Sequence, residues 1–171
     1  MNVVLVNPEI PQNTGNIART CAATGARLHL IKPLGFSLDD RYLKRAGLDY
    51  WSMMRYDVYE DWGRFSAQHP GAQMFFLSTK AEKGYCEMAY PPDAFLVFGQ
   101  ETRGLPEALL KRHMDRCLRI PMVEGARSLN LSNSVAIVLY EALRQQGFPN
   151  LKSQGSLTGQ DQRPWLDYLG P

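Results

Sequence analysis

Polar side chains crowd one short stretch of this sequence. Arg127, Ser128, Asn130, Ser132 and Asn133 fall just before an apolar run with helical spacing. Capping that helix needs one or two of them, Ser132 or Asn130 being suited to it. The surplus of donors and acceptors, with free backbone N–H groups at a helix N-terminus, suits recognition of a polar ligand. Two further stretches hold comparable residues. NPEIPQNTGNIAR, residues 7–19, carries Asn13 and Arg19, and FGQETRGLP, residues 98–106, carries Glu101 and Arg103. No His/Cys/Asp cluster with metal-ligand spacing appears, so no metal is expected. His29, His69 and His113 stand alone and read as structural or surface residues.

The elements that must position these residues follow from periodicity and punctuation. Val3–Val6 reads as a buried strand, and Asn13 or Thr14 can cap a helix running to about Thr24, ended by Gly25. Ile17, Cys21 and Thr24 share one face of it. Leu28–Ile31 completes a βαβ unit. Ser37 can cap a short helix through Ala46, with Asp39 and Asp40 in its first turn and Lys44 and Arg45 in its last. A strand around Val58, a helix over Trp62–Gln68, and apolar strands Met74–Leu77 and Phe95–Phe98 come next. A helix over Pro106–Arg112 opens on proline at its first position. After a strand at Leu118–Ile120, Val135, Val138, Leu139, Ala142 and Leu143 form the stripe of a long helix, stopped by Gly147 and Pro149. This alternation predicts a single α/β domain with a mostly parallel sheet and helices on both faces.

Each polar stretch follows the carboxyl end of a predicted strand, where open α/β sheets bind ligands, so all three can line one cleft. Ordinary βα turns are the alternative for any one of them. The isolated glycine of the first stretch does not make a G-x-G-x-x-G dinucleotide fingerprint. Gly99 and Gly104 have Walker-like spacing, but Leu105 and Pro106 stand where Lys and Ser/Thr are needed, which rejects a P-loop.

Composition bounds the remainder. At 171 residues and 44% apolar, the chain suits one soluble domain, and no apolar run reaches the roughly 18 residues of a membrane span. No signal peptide is read at the start, and three widely spaced cysteines, Cys21, Cys86 and Cys117, fit a reducing cytoplasm better than a disulfide framework. A net charge of +2 neither demands nor excludes nucleic acid. Residues 1–150 form the expected domain. From about Leu151 the chain turns to Ser, Gln, Gly and Thr, and 151–171 reads as a mobile tail with a small apolar end at Trp165, Leu166 and Leu169.

Taken together, the three polar stretches resemble the SPOUT class of RNA methyltransferases. The carrying motifs are N-x-x-N-x-x-R in the first, F-G-Q-E-T-R-G-L-P in the second, and R-I-P-M with R-S-L-N-L-S-N-S-V-A in the third. The likeness is closest to small tRNA 2′-O-methyltransferases that modify the wobble pyrimidine, position 34. It spans about residues 1 to 150 and is weakest over Met53–Pro92.

The resemblance implies a deep trefoil knot, a homodimer whose sites borrow residues across the interface, and S-adenosyl-methionine as methyl donor, with S-adenosyl-homocysteine as product. Carried over by position, the cofactor site includes Leu77, Gly99, Ile120 and Ser128, with Met122 and Leu129 nearby. Gly99 is expected to admit ligand against the backbone, so that a valine there blocks binding without unfolding. Leu77 and Ile120 can sandwich adenine. Arg19 matches the arginine often proposed to activate the ribose hydroxyl. Because a guanidinium stays protonated, orienting the hydroxyl and a phosphate is the better role, and an exposed arginine paired with Glu9 is the bland one. Asn13, Glu101 and Asn130 also match motif positions, in catalytic or purely structural roles, with Glu101 able to hold Arg19 or Arg103. Arg41, Lys44 and Arg45 form a basic face that can meet phosphates or simply complement a helix end. Tyr50, Trp51, Met53, Met54, Tyr56 and Tyr59 read as core or dimer surface. Methylation of another tRNA or ribosomal RNA nucleotide, or a non-catalytic RNA-binding module, are the competing functions.

Overall fold

The computed structural model describes residues 1–38 and 54–156. Seven strands form one sheet: β1 (Asn2–Val6), β2 (Arg27–Ile31), β3 (Tyr56–Tyr59), β4 (Met74–Leu77), β5 (Lys83–Gly84), β6 (Phe95–Phe98) and β7 (Cys117–Arg119), ordered β3-β2-β1-β6-β4-β7-β5. Every strand pairing is parallel. Four described helices accompany it: α1 (Pro11–Thr24), α2 (Trp62–Gln68), α3 (Glu107–Lys111) and α4 (Leu131–Gln145).

The apolar runs VVLV, FFL and FLVF are continuous because both faces of the sheet are buried. Alternate side chains separate into two cores. Val3, Leu5, Phe75, Leu77, Leu96 and Phe98 pack with Ile17 and Cys21 of α1 and the Val135–Leu143 stripe of α4. Val4, Val6, Phe76 and Val97 pack on the other side with Phe65 of α2 and Leu110 of α3. Burial pushes the Cys21 thiol up to about 12, so this cysteine behaves as a small apolar side chain. All three cysteines are free thiols.

Several boundaries depart from the sequence reading. Neither Asn13 nor Thr14 caps α1: the helix begins at Pro11 behind an extended Ile10, and proline there gives up no needed N–H. Both residues lie buried in its first turn. Gly25 does end it, in the left-handed region at φ 72°. Pro106 is the N-cap of α3 and not its first helical residue. The strand expected at Leu118–Ile120 sits one residue earlier. The two-residue β5 has no sequence signature because no periodicity can be read over so short a run. The helix expected over Ser37–Ala46 falls on residues outside those described, apart from Ser37 and Leu38, as do Tyr50, Trp51 and Met53. Met54 and Tyr59 are buried in the two cores, and Tyr56 is exposed.

At one edge the register is unusual. Leu118 of β7 pairs with Leu77, the last residue of β4, and with Lys83, the first of β5. The five residues 78–82 therefore span from one flank of β7 to the other, at the end from which the chain leaves towards α4. A conventional parallel crossover needs a dozen or more residues. The far end of α4 is tied to the segment before β6. The Tyr90 N–H donates to Gln145 Oε1 (3.0 Å), Gln145 Nε2 to the Met88 carbonyl (3.0 Å) and Gln146 Nε2 to the Tyr90 carbonyl (3.1 Å).

The histidines do not stand alone. His29, 1% exposed on β2, places Nδ1 3.0 Å from the Tyr59 hydroxyl and Nε2 3.1 Å from Asn2 Oδ1. The same Tyr59 oxygen lies 3.1 Å from His69 Nε2, while Phe65 and Phe95 pack around the rings. Burial, more than the opposing pull of nearby Asp57, holds His29 down at about 4, so it is neutral at pH 7. His113 stacks on Phe76.

Candidate active site

A cavity of about 570 Å3 opens where β4, β6 and β7 end, in the range typical of small-molecule sites. Its walls come from the three polar stretches and from the Leu77–Lys80 segment. Leu77, Ile120, Met122 and Leu129 supply apolar surface, and Ser78, Thr79, Ser128 and Ser134 supply hydroxyls.

One carboxylate ties the loops together. Glu101 Oε2 accepts from the Glu9 N–H (2.9 Å), and Oε1 accepts from the Ile10 N–H (3.3 Å) and from Asn13 Nδ2 (3.1 Å). It thus sits at the positive end of α1 and satisfies donors the helix start leaves open. Asn13 passes the connection on, its Oδ1 accepting from Asn130 Nδ2 at 2.9 Å. Asn130 Oδ1 in turn accepts from the N–H groups of Ser132 (2.9 Å) and Asn133 (3.4 Å), capping α4. A reciprocal tie runs the other way: the Glu9 carboxylate accepts from the Thr102 N–H (3.1 Å) and from Thr102 Oγ1 (2.8 and 3.0 Å). Each loop therefore holds its neighbour with a charge-assisted bond.

Of the nine positions expected to bind cofactor or to act with Arg19, all nine line this cavity: Leu77, Gly99, Ile120, Met122, Ser128, Leu129, Asn13, Glu101 and Asn130. Arg19 does not. It is exposed on α1, and six residues beyond Asn13 the helix has turned by about 600°, which points it to another face. Arg41, Lys44 and Arg45 lie outside the described residues. Glu101 holds neither Arg19 nor Arg103, since its two oxygens are taken up by the start of α1, and Glu9 meets Thr102 and not Arg19.

Gly99 has a reason within the protein besides the one expected. A Cβ there would lie 2.2 Å from the Gly104 carbonyl carbon and 2.2 Å from the Leu105 nitrogen. Its own loop closes over it through the Gly104 N–H to Gln100 carbonyl bond of 2.9 Å. Glycine is required for the turn itself, so a valine would disturb folding as well as binding. Sequence reasoning missed Glu9, Thr102 and Lys80 as site-building residues. The Glu9–Thr102 pair is separated by too many residues for any spacing rule to join it. Lys80, on the cavity wall, is ion-paired with Glu107, and that hydrogen bond holds the Glu107 carboxyl below its usual range. Among the described residues, no group of three or more His, Cys, Asp or Glu is placed to hold a metal, and no helix is long and apolar enough to cross a membrane.

A parallel α/β sheet with polar loops and a cavity at the carboxyl ends of its strands defines the kind of ligand-binding site that open α/β folds carry. Comparison with known proteins narrows this. Residues 1–140 match the SpoU rRNA methylase family, and the chain belongs to that family. The tRNA (cytidine(34)-2'-O)-methyltransferase of Burkholderia pseudomallei is 53% identical over 150 residues, covering 86% of this chain and 96% of that protein. Its namesake from Saccharophagus degradans is 50% identical over 152 residues, covering 88% and 99%. A solved structure from work on the 2-OH methylation of C/U34 on tRNA superposes with a TM-score of 0.82 at 46% identity, covering 85% of this chain and 95% of that one.

Proposed function

We propose that this chain is an S-adenosyl-methionine-dependent tRNA 2′-O-methyltransferase acting on the ribose of the wobble pyrimidine, cytidine or modified uridine at position 34. The observation that carries this reading is the gathering of all nine motif-matched residues other than Arg19 around one cavity. The cavity fits the cofactor: its volume accommodates a nucleoside-sized ligand, and apolar walls alternate with hydroxyls and backbone groups able to read polar edges.

When bound, S-adenosyl-methionine supplies an electrophilic methyl group on a sulfonium, and S-adenosyl-homocysteine leaves as product. The protein positions the partners. Leu77, Ile120, Met122 and Leu129 hold the apolar part, and Ser128 offers a hydroxyl beside it. Asn13, Glu101 and Asn130 are positioning residues, because every bond they make fixes the loops. Arg19 orients the ribose hydroxyl and a phosphate, and the proton departs through that phosphate or water, since a guanidinium cannot accept it.

Arg19 faces away from its own cavity, which supports a homodimer in which each arginine serves the partner's site. Exposed apolar groups support the same assembly: Ile10 and Leu129 at the cavity rim and Ile137 with Tyr140 on the outer face of α4. The short 78–82 span across β7 supports a trefoil knot, with the chain towards α4 threaded beneath it. Residues 1–150 are the catalytic domain, 151–171 a tail, Arg41, Lys44 and Arg45 phosphate contacts, and the cytoplasm the site of action.

The test is incubation with labelled cofactor and total tRNA, followed by mapping of the modified nucleoside. A 2′-O-methyl group at position 34 is expected, and label elsewhere or no transfer overturns the reading. The family description favours one second reading, a ribosomal RNA nucleotide, and adding ribosomal RNA to the same assay decides between them. Arg19→Ala should cut the single-turnover rate by about 100-fold or more while leaving S-adenosyl-homocysteine affinity nearly intact. Sedimentation giving a monomer at micromolar concentration would remove the shared-site model.

A further inference from the structure

Two arginines on the cavity wall have no task in the scheme above. Arg103 rises from the Gln100–Gly104 turn after β6, and Arg127 from the segment between β7 and α4. Both are exposed, and neither guanidinium has a hydrogen-bond or ion-pair partner among the described residues. The third cation of the wall, Lys80, is neutralised by Glu107, and the wall's one carboxylate, Glu101, already accepts three hydrogen bonds from the start of α1. The cavity therefore presents two uncompensated positive charges. Their backbones are held: Thr102 is pinned by Glu9, Gly104 by Gln100, and Ala126 by the Val123 carbonyl at 3.2 Å.

We propose that Arg103 and Arg127 together grip a backbone phosphate of the RNA next to the ribose being methylated. The inference rests on the function proposed above. Two oxyanions are available to these guanidiniums, an RNA phosphodiester and the carboxylate of the cofactor's methionine part. The cofactor carries a sulfonium and an ammonium against that single carboxylate and is cationic overall, so two fixed positive charges oppose its entry. A phosphodiester meets no such opposition, and its paired oxygens match the fork of an arginine. Contacts of this kind set register and orientation, here bringing one ribose to the cavity, and carry no base specificity.

The experiment uses the full-length protein, total tRNA and S-adenosyl-homocysteine. Arg103→Ala and Arg127→Ala should each weaken tRNA binding about tenfold, the typical worth of one charge-assisted contact. Each should also reduce the slope of log affinity against log salt by about 0.7 to 0.9. The calorimetric affinity for S-adenosyl-homocysteine should stay within about twofold, too little to signal a lost charge-assisted contact. Arg→Lys at either position should restore the salt slope but only part of the affinity, because the fork is lost. Weakened S-adenosyl-homocysteine binding with tRNA affinity intact would assign the guanidiniums to the cofactor's carboxylate and overturn the proposal. No change in either affinity would make them solvated surface residues, with the same consequence. The wild type separates the two levels: if it transfers no methyl group to tRNA, the proposed function fails first, and if it does while the variants keep wild-type tRNA affinity and salt slope, only the phosphate grip fails.

Discussion

Two polar networks join distant parts of this chain, and they differ in what they leave over. Around the cavity, Glu9, Glu101, Asn13 and Asn130 tie three loops, yet Ser128, Arg103 and Arg127 still face open space. Beneath the other sheet face, Asn2, His29, Tyr59 and His69 hydrogen-bond in a line, packed by Phe65 and Phe95. The second network spends its polar groups on one another. A network that closes on itself stabilises, whereas one that holds a rim in place and leaves donors unused can recognise a ligand.

This distinction can be broken by substitutions, the most damaging first. Gly99→Val should leave little folded protein, since its side chain would meet the Gly104–Leu105 peptide at 2.2 Å; soluble yield and thermal unfolding measure it. Wild-type stability with only cofactor binding lost would return Gly99 to the ligand-clearance role. Glu101→Ala strands the Glu9 and Ile10 N–H groups and Asn13 Nδ2, and should lower unfolding free energy by about 3 kcal/mol in urea titration. It should also abolish S-adenosyl-homocysteine binding, because the loop walls separate. Loss of activity at unchanged stability would instead mark Glu101 as a group acting on the reactants.

The closed network is tested by pH. His29 is held at about 4, below its ordinary 6.5, so between those values the unfolded chain takes up a proton that the folded chain refuses. Its contribution is complete above pH 6.5 and is lost as pH falls towards 4, in total on the order of 3 kcal/mol. Urea titrations at several pH values should show that slope, and His29→Gln should flatten it while sparing methylation measured near neutrality. A methylation defect in that variant at neutral pH would erase the separation between the two networks. Asn130→Ala is the smallest of these changes. Loss of the α4 cap should cost about 1 kcal/mol. Because Asn130 Nδ2 also donates to Asn13 Oδ1, cofactor affinity should fall together with stability; Asn130→Asp, which keeps the cap acceptor but has no donor for Asn13, should restore part of the stability and leave cofactor affinity low.

The sequence by itself determined the α/β class, the limits of most elements and the three loops of the site. Uninterrupted apolar runs such as Phe95–Phe98 can be buried only on both faces, and the Val135–Leu143 stripe has one helical period. The motif positions from Leu77 to Asn130 were legible because each belongs to a short contiguous string. What only the tertiary structure decided are relations between strings. Asn13, expected to cap its helix, instead bridges Glu101 and Asn130, and the glycine at 99 is required by the close approach of its own loop. His29 and His69, isolated in sequence, meet through Tyr59, and the short β5 exists only because β7 lies beside it. Local patterns record which face of an element is buried, because burial repeats with the helix or strand period. Hydrogen bonds between loops have no period, and their partners are chosen only once the sheet has brought its strand ends together.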